Sequence, residues 1–432
     1  MKITLLSLLS IIYYYSFAQI TVTEIGSIPK KTSNNVVCEG FINGNPYIYS
    51  FGGIDSTKLY SGIHQNSYRY DITNGEAIAI PNLPDTLGKI AMGISRIDNI
   101  IYLIGGYHVY ADGNEKSSDR VHRYDIENNI YLSDGAKLPV STDDHVQSVW
   151  RDSLIYVITG WSDVGNITDV QIYNPTTDIW LSGTPVPNSA YRSFGSSGSI
   201  VGDTIYYFGG AYSSAGFNIQ SRLRKGVINP NDPTDITWSI STPDPSIKGY
   251  RMASTTVGNQ VHWIGGSNTT YNYNGIAYNG TGGVEPNDRD LFIRTSSDNV
   301  FEQNINSSPI PMDLRSIAKV NDTTQYIIGG MLSGQEVTNK IFKLEWQNPN
   351  LNINTIPINN HFSITQPNAI PEFYITAIQN IKLEIYSING QFVKQLNLKE
   401  GRHHIVLNHL SSGIYFIGEK ESNSSFQKIC IQ

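Results

Sequence analysis

The feature that most constrains this chain is an apolar run closed by two glycines, which returns six times. It reads Tyr49-Ser50-Phe51-Gly52-Gly53, Tyr102-Leu103-Ile104-Gly105-Gly106 and Tyr156-Val157-Ile158-Thr159-Gly160, with Thr159 in place of the first glycine. Tyr206-Tyr207-Phe208-Gly209-Gly210, His262-Trp263-Ile264-Gly265-Gly266 and Tyr326-Ile327-Ile328-Gly329-Gly330 complete the set. The second glycines stand 53, 54, 50, 56 and 64 residues apart. A unit of that length cannot bury its apolar surface alone, so six copies must pack on one another.

Each copy continues into a second strand, as in Tyr68-Arg69-Tyr70-Asp71, His122-Arg123-Tyr124-Asp125 and Gln171-Ile172-Tyr173-Asn174. A tryptophan often follows (Trp180, Trp238 and, displaced, Trp346), then a proline turn such as Leu83-Pro84, Leu138-Pro139 or Pro185-Val186-Pro187. With 38 glycines and 27 tyrosines, the composition favours short strands and tight turns over helices. The order and period of these signals resemble the kelch repeat across residues 20–347. The resemblance implies an all-β fold, a six-bladed kelch β-propeller over residues 19–347, with four-stranded blades around a central channel. The glycine pair lets backbones approach where a side chain would clash. The strand Ile20-Thr21-Val22-Thr23-Glu24-Ile25 precedes the first glycine pair, where it can supply the missing fourth strand of the sixth blade and remove an exposed edge.

The repeat stops at Trp346, and residues 348–360 are rich in Asn and Pro, a linker composition. Beyond it, Ile381-Lys382-Leu383-Glu384-Ile385-Tyr386 alternates like a half-buried strand, and Asn389-Gly390 marks a hairpin. Further runs through Phe392-Val393, Ile405-Val406-Leu407, Leu410 to Ile417 and Gln427 to Ile431 predict a small β-sandwich over residues 361–432. With Ser411-Ser412-Gly413-Ile414-Tyr415 and the ending at Lys428, this segment resembles the type A sorting domain of the type IX secretion system of Bacteroidota. The early Tyr-Pro-Asn-Pro strand of that family is reduced here to Gln366-Pro367-Asn368. The resemblance implies an Ig-like domain, recognition by the secretion machinery, and release at or attachment to the cell surface.

The other end fits that route. Lys2, the apolar residues 3–15 and Ser16-Phe17-Ala18 read as a signal peptide over residues 1–18. No other stretch approaches the roughly 20 apolar residues of a membrane span, so no transmembrane segment is expected in the mature protein. A formal net charge of -7 without a basic cluster argues against nucleic acid as a partner. Two cysteines, Cys38 and Cys430, exclude a disulfide-stapled mini-fold and a cysteine-ligated metal site. They could pair with each other or stay as buried thiols.

In an up-and-down blade the loop entering the first strand and the loop leaving the Gly-Gly strand share one face. Before the first strands stand Lys89, His145, Tyr191, Arg192, Tyr250, Arg251 and Arg315. After the Gly-Gly strands stand Tyr107, His108, Trp161, Tyr212 and a long insert over residues 267–290. A mouth lined with Arg, His and aromatics suits a carboxylate- or hydroxyl-rich ligand. The leading expectation is a cell-surface binding or scaffold module for glycan or protein ligands. The alternative is a sugar-acid epimerase or mutarotase resembling N-acetylneuraminate epimerase, which would need a carboxylate or His base beside an Arg. The Tyr-Tyr-His-His copper set of galactose oxidase has no counterpart, and no metal or cofactor is expected. Nor does a phosphate loop, nucleophile elbow, zinc helix or calcium loop occur.

Overall fold

A computed structural model describes residues 20–346, apart from 164, 214–215 and 298. In the C-terminal part it describes 361–365, 372–387, 391–407, 410, 413–419 and 427–431. The predicted signal peptide, the linker, the Asn389-Gly390 turn, Gln366-Pro367-Asn368, Ser411-Ser412 and the Cys430 side chain lie outside the described residues. The chain divides into two compact units, Phe17–Asn348 and a second that contains Pro349–Gln432.

The first unit is a six-bladed propeller in which every blade is an antiparallel four-stranded sheet. Blade 1 runs Val36–Ile42, Asn45–Phe51, Ser67–Asp71 and Glu76–Ile80 from the channel outwards. Blade 2 uses Ile90–Ile97, Ile100–Val109, Val121–Asp125 and Ile130–Tyr131, with Glu115–Ser117 added beside its second strand. Blade 3 uses Val146–Trp150, Leu154–Ile158, Val170–Asn174 and Ile179–Ser182; blade 4 uses Ser197–Val201, Thr204–Phe208, Leu223–Asn229 and Asp232–Ser241. Blade 5 uses Ala253–Val257, Gln260–Ile264, Arg289–Arg294 and Phe301–Asn304. Blade 6 takes three strands from its own repeat, Ala318–Lys319, Thr324–Ile328 and Lys340–Trp346, and its outermost strand from the chain start, Ile20–Ser27. Ile20 pairs with Trp346 and Ser27 with Lys340, with a bulge between Glu24 and Gly26. The expected closure is therefore the one observed, and it ties the two ends of the ring together by main-chain hydrogen bonds.

Strand periodicity explains the core. Leu154–Ile158 is buried along its whole length. Leu154, Tyr156 and Ile158 pack with Ile205 and Tyr207 of blade 4, whereas Ile155 and Val157 pack with Tyr102 and Ile104 of blade 2. Alternate side chains point to opposite sheet faces, so one strand feeds two interfaces. Six such clusters fill the six gaps between blades. Cys38 belongs to the one between blades 1 and 2, as a buried free thiol.

The Gly-Gly pairs, which follow the second strands or in blade 2 lie within it, are glycine for a steric reason. Gly53 has φ 110°, and a Cβ there would sit 2.4 Å from Thr32 Oγ1 and 2.7 Å from the Ser33 carbonyl oxygen. No L side chain adopts that backbone at that distance without displacing the neighbouring entry loop.

The second unit is an Ig-like sandwich of a three-stranded sheet (Phe362–Thr365, Glu372–Ala377, Gly401–Val406) and a four-stranded one (Phe392–Leu398, Ile381–Ser387, Gly413–Glu419, Gln427–Ile431). Phe362, Phe373, Ile375, Leu383, Ile385, Leu407 and Ile417 form its core.

Candidate functional site

In every blade the entry loop bridges to the residue just beyond the Gly-Gly pair. The pairs are Ser33 with Ile54, Asp143 with Trp161, Phe194 with Ala211, Tyr250 with Ser267, and Met312 with Met331. Blade 2 makes the same contact through Ile90 and Tyr107. One residue after this bridge, each blade places a residue in the left-handed backbone region: Asn34, Ala91, Asp144, Gly195, Arg251 and Asp313, with φ between 48° and 64°. These six positions form a hydrogen-bonded ring around the channel. Asp144 N–H donates to Ala91 C=O (3.0 Å), Gly195 to Asp144 (2.9 Å), Arg251 to Gly195 (2.8 Å) and Leu314 to Arg251 (3.0 Å). Asn34 N–H donates to Asp313 C=O at 3.2 Å, and the Asn34 side-chain oxygen accepts from Ala91 N–H at 2.8 Å.

The side chains of this ring fill its centre. Arg251 Nη2 donates to Asp144 at 2.7 Å and Nη1 to Asp313 at 3.1 Å. Arg315 Nη1 donates to Asp144 at 2.6 Å, while Ser33 Oγ and Asn34 Nδ2 donate to Asp313 at 2.6 and 3.0 Å. Burial opposes ionisation of Asp144, but Arg251 and Arg315 hold its carboxyl below the usual range. Asp313, also buried, is pushed up. On one side of this layer lies the channel, about 250 Å³, lined by the innermost strands and rich in Ser95, Ser148, Ser199, Thr255 and Ser316 hydroxyls.

At the mouth a cup of about 150 Å³ opens on the loop face. Its walls are aromatic: Tyr107 from blade 2, Trp161 from blade 3, Phe194 and Phe217 from blade 4, and Tyr278 from the blade 5 insert. Trp161, Phe194 and Phe217 touch edge to face, with ring centroids 5.3 Å apart for Trp161 and Phe194 and 5.6 Å for Trp161 and Phe217. Tyr278 lies 4.7 Å from Phe217. Asp143, Asp144, Glu115, Arg251 and Asn272 supply the polar lining. Asp143 accepts a hydrogen bond from Ser117 Oγ at 2.6 Å. Burial, reinforced by the charge of Asp144, pushes its carboxyl well above the usual range, which favours its protonated form. Glu115 stands exposed on the rim, and the surrounding protein also raises its carboxyl.

Three of the sequence-predicted residues, Tyr107, Trp161 and Arg251, meet in this cup. The other eight do not line it. Lys89 is buried in blade 2, paired with Asp85 at 2.5 Å, in a network with His122, which bonds Asp85 and Asp134 at 2.8 Å each. His108 Nδ1 lies 2.6 Å from the Gly88 carbonyl and lines a separate groove with Asp85 and Arg120. Buried His145 lies on the channel side of the ring, 3.1 Å from the Gln147 amide, and Arg315 lies beside it. Tyr191 is core, its carbonyl accepting from Tyr207 Oη at 2.8 Å, and Arg192 Nη1 donates to the Asn166 carbonyl at 3.2 Å. Tyr250 is fully buried beneath Arg251, and Tyr212 is half-buried on the loop after Gly210. The sequence reading passed over Asp143, Asp144, Glu115 and Asp313. The visible signal was the acidic pair directly ahead of His145, with Asp144 at the same step before the first strand as Asn34. Among the described residues no group of three or more His, Cys, Asp or Glu side chains is arranged to hold a metal ion.

Comparison with known proteins gives two independent likenesses. Residues 348–432 match the secretion system C-terminal sorting domain. The propeller is similar to Kelch-like protein 36 of Bos taurus, 23% identical over 174 residues, covering 40% of this chain and 26% of that protein. It is also similar to Kelch-like protein 26 of Mus musculus, 28% identical over 131 residues, or 30% of this chain and 20% of that one. The chain thus spans about a quarter of the length of the curated relatives it matches. The solved structure of YjhT superimposes with a TM-score of 0.57 at 15% identity, covering 75% of this chain and all of that one. Its likeness is one of fold.

Proposed function

Because this chain is a kelch-type propeller carrying a type IX sorting domain, and is therefore directed to the cell surface or beyond, we propose that it is an exported binding module whose ligand sits in the aromatic cup at the channel mouth. The observation that carries the reading is the meeting of Trp161, Phe217 and Tyr278 with the Asp143 and Glu115 carboxyls in one concave site. Aromatic faces take the apolar face of a sugar ring, and carboxyls take its hydroxyls. A cup of about 150 Å³ has room for about five waters, hence for one sugar ring or a small headgroup rather than an extended chain. The test is thermal unfolding of the full chain with a panel of monosaccharides, glycans and glycan-derived headgroups. A saturating ligand raises stability by about 2.7 kcal/mol at a hundredfold excess over Kd. The shift should vanish in Trp161→Ala. A panel without any shift would remove this reading.

A second reading, sugar epimerisation or mutarotation, is supported by Asp143 and Glu115 themselves: two carboxyls of raised proton affinity in one site can act as an acid and base pair. The terminal nitrogens of Arg251 are already bound to two carboxylates, which leaves only its Nε without a partner. One-dimensional proton spectra of freshly dissolved sugars would show anomeric exchange faster with the protein than without it. Exchange at the uncatalysed rate rules the second reading out.

A further inference from the structure

The cup is acidic at its floor and aromatic at its walls, a combination that selects for positive charge. The ring layer and cup together hold four carboxyls, Glu115, Asp143, Asp144 and Asp313, against two guanidiniums, Arg251 and Arg315. The terminal nitrogens of both guanidiniums are bonded, while the buried Nε of each has no hydrogen-bond partner among the described residues. Arg251 bridges Asp144 and Asp313 and stands over the Tyr250 and Tyr271 rings, at 5.3 and 5.4 Å from their centroids. Arg315 binds Asp144 at 2.6 Å. The two acids outside these pairs, Asp143 and Glu115, both line the cup. Asp143, 4% exposed, has only a neutral hydroxyl, Ser117, as its described side-chain donor. Around it stand Trp161, Phe217 and Tyr278, each half-buried, while Tyr107 and Phe194 are buried behind them. Ring faces attract a cation through their quadrupole, most strongly where water is excluded. A carboxylate ligand would meet the carboxyls of Asp143, Asp144 and Glu115, with Arg251 as the one guanidinium in the described lining.

We infer that the ligand of this cup carries an organic ammonium group, held against Trp161, Phe217 and Tyr278 and neutralised by Asp143 and Glu115. The inference rests on the proposed binding role of the cup and specifies its ligand class. The ammonium can belong to an amino sugar or to a quaternary headgroup of the choline kind; the shared chemistry is the cation. Because the ammonium favours the ionised form of Asp143, whose carboxyl burial pushes up, binding favours release of a proton to solvent. The charged and titratable neighbours of Asp143 are Glu115 and Tyr107 from blade 2, Asp144 from its own blade, Arg251 and Tyr278 from blade 5, and beyond these Asp313 and Arg315 from blade 6. Of these, Glu115 and Asp144 add to the pull on the cation, and Arg251 opposes it.

The experiment is isothermal titration of the full chain with two matched series. One compares choline with its neutral isostere 3,3-dimethylbutan-1-ol; the other compares glucosamine with glucose and glucuronate. The expected result is an ammonium compound bound about tenfold or more tighter than its neutral partner, with glucuronate weakest. The tighter of choline and glucosamine identifies the source of the cation. Glu115→Gln, a substitution at the exposed rim, should weaken the ammonium compound several-fold more than its neutral partner. Titration in two buffers of different ionisation enthalpy should show proton release, and affinity should rise with pH. Choline bound no tighter than its isostere, together with glucose or glucuronate bound as tightly as glucosamine, overturns the ammonium inference while leaving the cup a ligand site. No binding in either series, together with a silent glycan panel, overturns both.

Discussion

Arg251 Nη2 lies 2.7 Å from an Asp144 carboxylate oxygen, joining blades 5 and 3 across 107 residues of chain. Its other nitrogen reaches Asp313 of blade 6 at 3.1 Å, so one guanidinium holds three blades at the ring. Removing one partner of a buried cluster leaves uncompensated charge. Arg251→Ala should lower stability by about 3–5 kcal/mol in urea unfolding, while joint replacement of Arg251, Asp144 and Asp313 by apolar residues of similar volume should recover much of that loss. A small effect of the single change would mean that water reaches the cluster.

Ring closure by the chain start gives a second expectation. Val22 pairs with Leu344 and is 2% exposed. Val22→Asp buries an unpaired carboxylate in the interface between blades 5 and 6 and should cost about 3 kcal/mol or more. The exposed neighbour Thr23→Asp should stay within about 0.5 kcal/mol. Equal effects at the two positions in chemical denaturation would argue against the outermost-strand register.

Thr159 occupies a glycine position with φ 50°. Its hydroxyl donates to Ile167 C=O at 2.9 Å and accepts from Ser193 N–H at 3.1 Å, offsetting the strain of a β-branched residue in that region. Thr159→Val keeps the shape and the strain but orphans a buried N–H. Its expected cost is about 1–3 kcal/mol. Thr159→Gly should cost less, because it relieves the backbone as it loses the bonds; thermal melts of the two variants decide the order.

Burial lowers the pKa of His145 from 6.5 to about 4, with the Arg315 charge adding to it against the Gln147 hydrogen bond. The folded protein keeps the ring neutral, whereas the unfolded chain takes up a proton below the ordinary histidine value. Stability should therefore fall as pH drops from about 6.5 towards 4, by on the order of 3 kcal/mol from this residue. His145→Gln should flatten that part of a stability-against-pH curve. An unchanged slope would show that His145 is protonated in the fold.

The two Tyr-Arg pairs of the entry loops show where sequence reading stops. Tyr191-Arg192 and Tyr250-Arg251 look equivalent, yet only Arg251 enters the ring. The bridges decide it: Ala211, next after the blade 4 glycine pair, pairs with Phe194, whereas Ser267, its blade 5 counterpart, pairs with Tyr250. Phe194 is thus the partner of Tyr250 in register, Gly195 of Arg251, and Arg192 stands three residues too early. Tyr107 and Trp161 were legible because they directly follow the glycines that define the repeat. Glu115 was not, since its place depends on the short return strand Glu115–Ser117 that pairs with the end of the second strand of blade 2.

By itself the sequence determined the six blades, their closure by Ile20–Ser27 and the sandwich that follows, because these rest on local requirements. Glycine must stand where φ is positive and a Cβ would strike a neighbouring loop, and alternating apolar residues must stand where a sheet is covered on both faces. Only the tertiary structure decided which side chains share the mouth. Asp144 meets Arg251 and Arg315 from 107 and 171 residues away, and Asp313 meets Asn34 from 279. Such meetings depend on the angular position of each blade around the ring, and a repeat written along a line does not encode which of its loops converge on the axis.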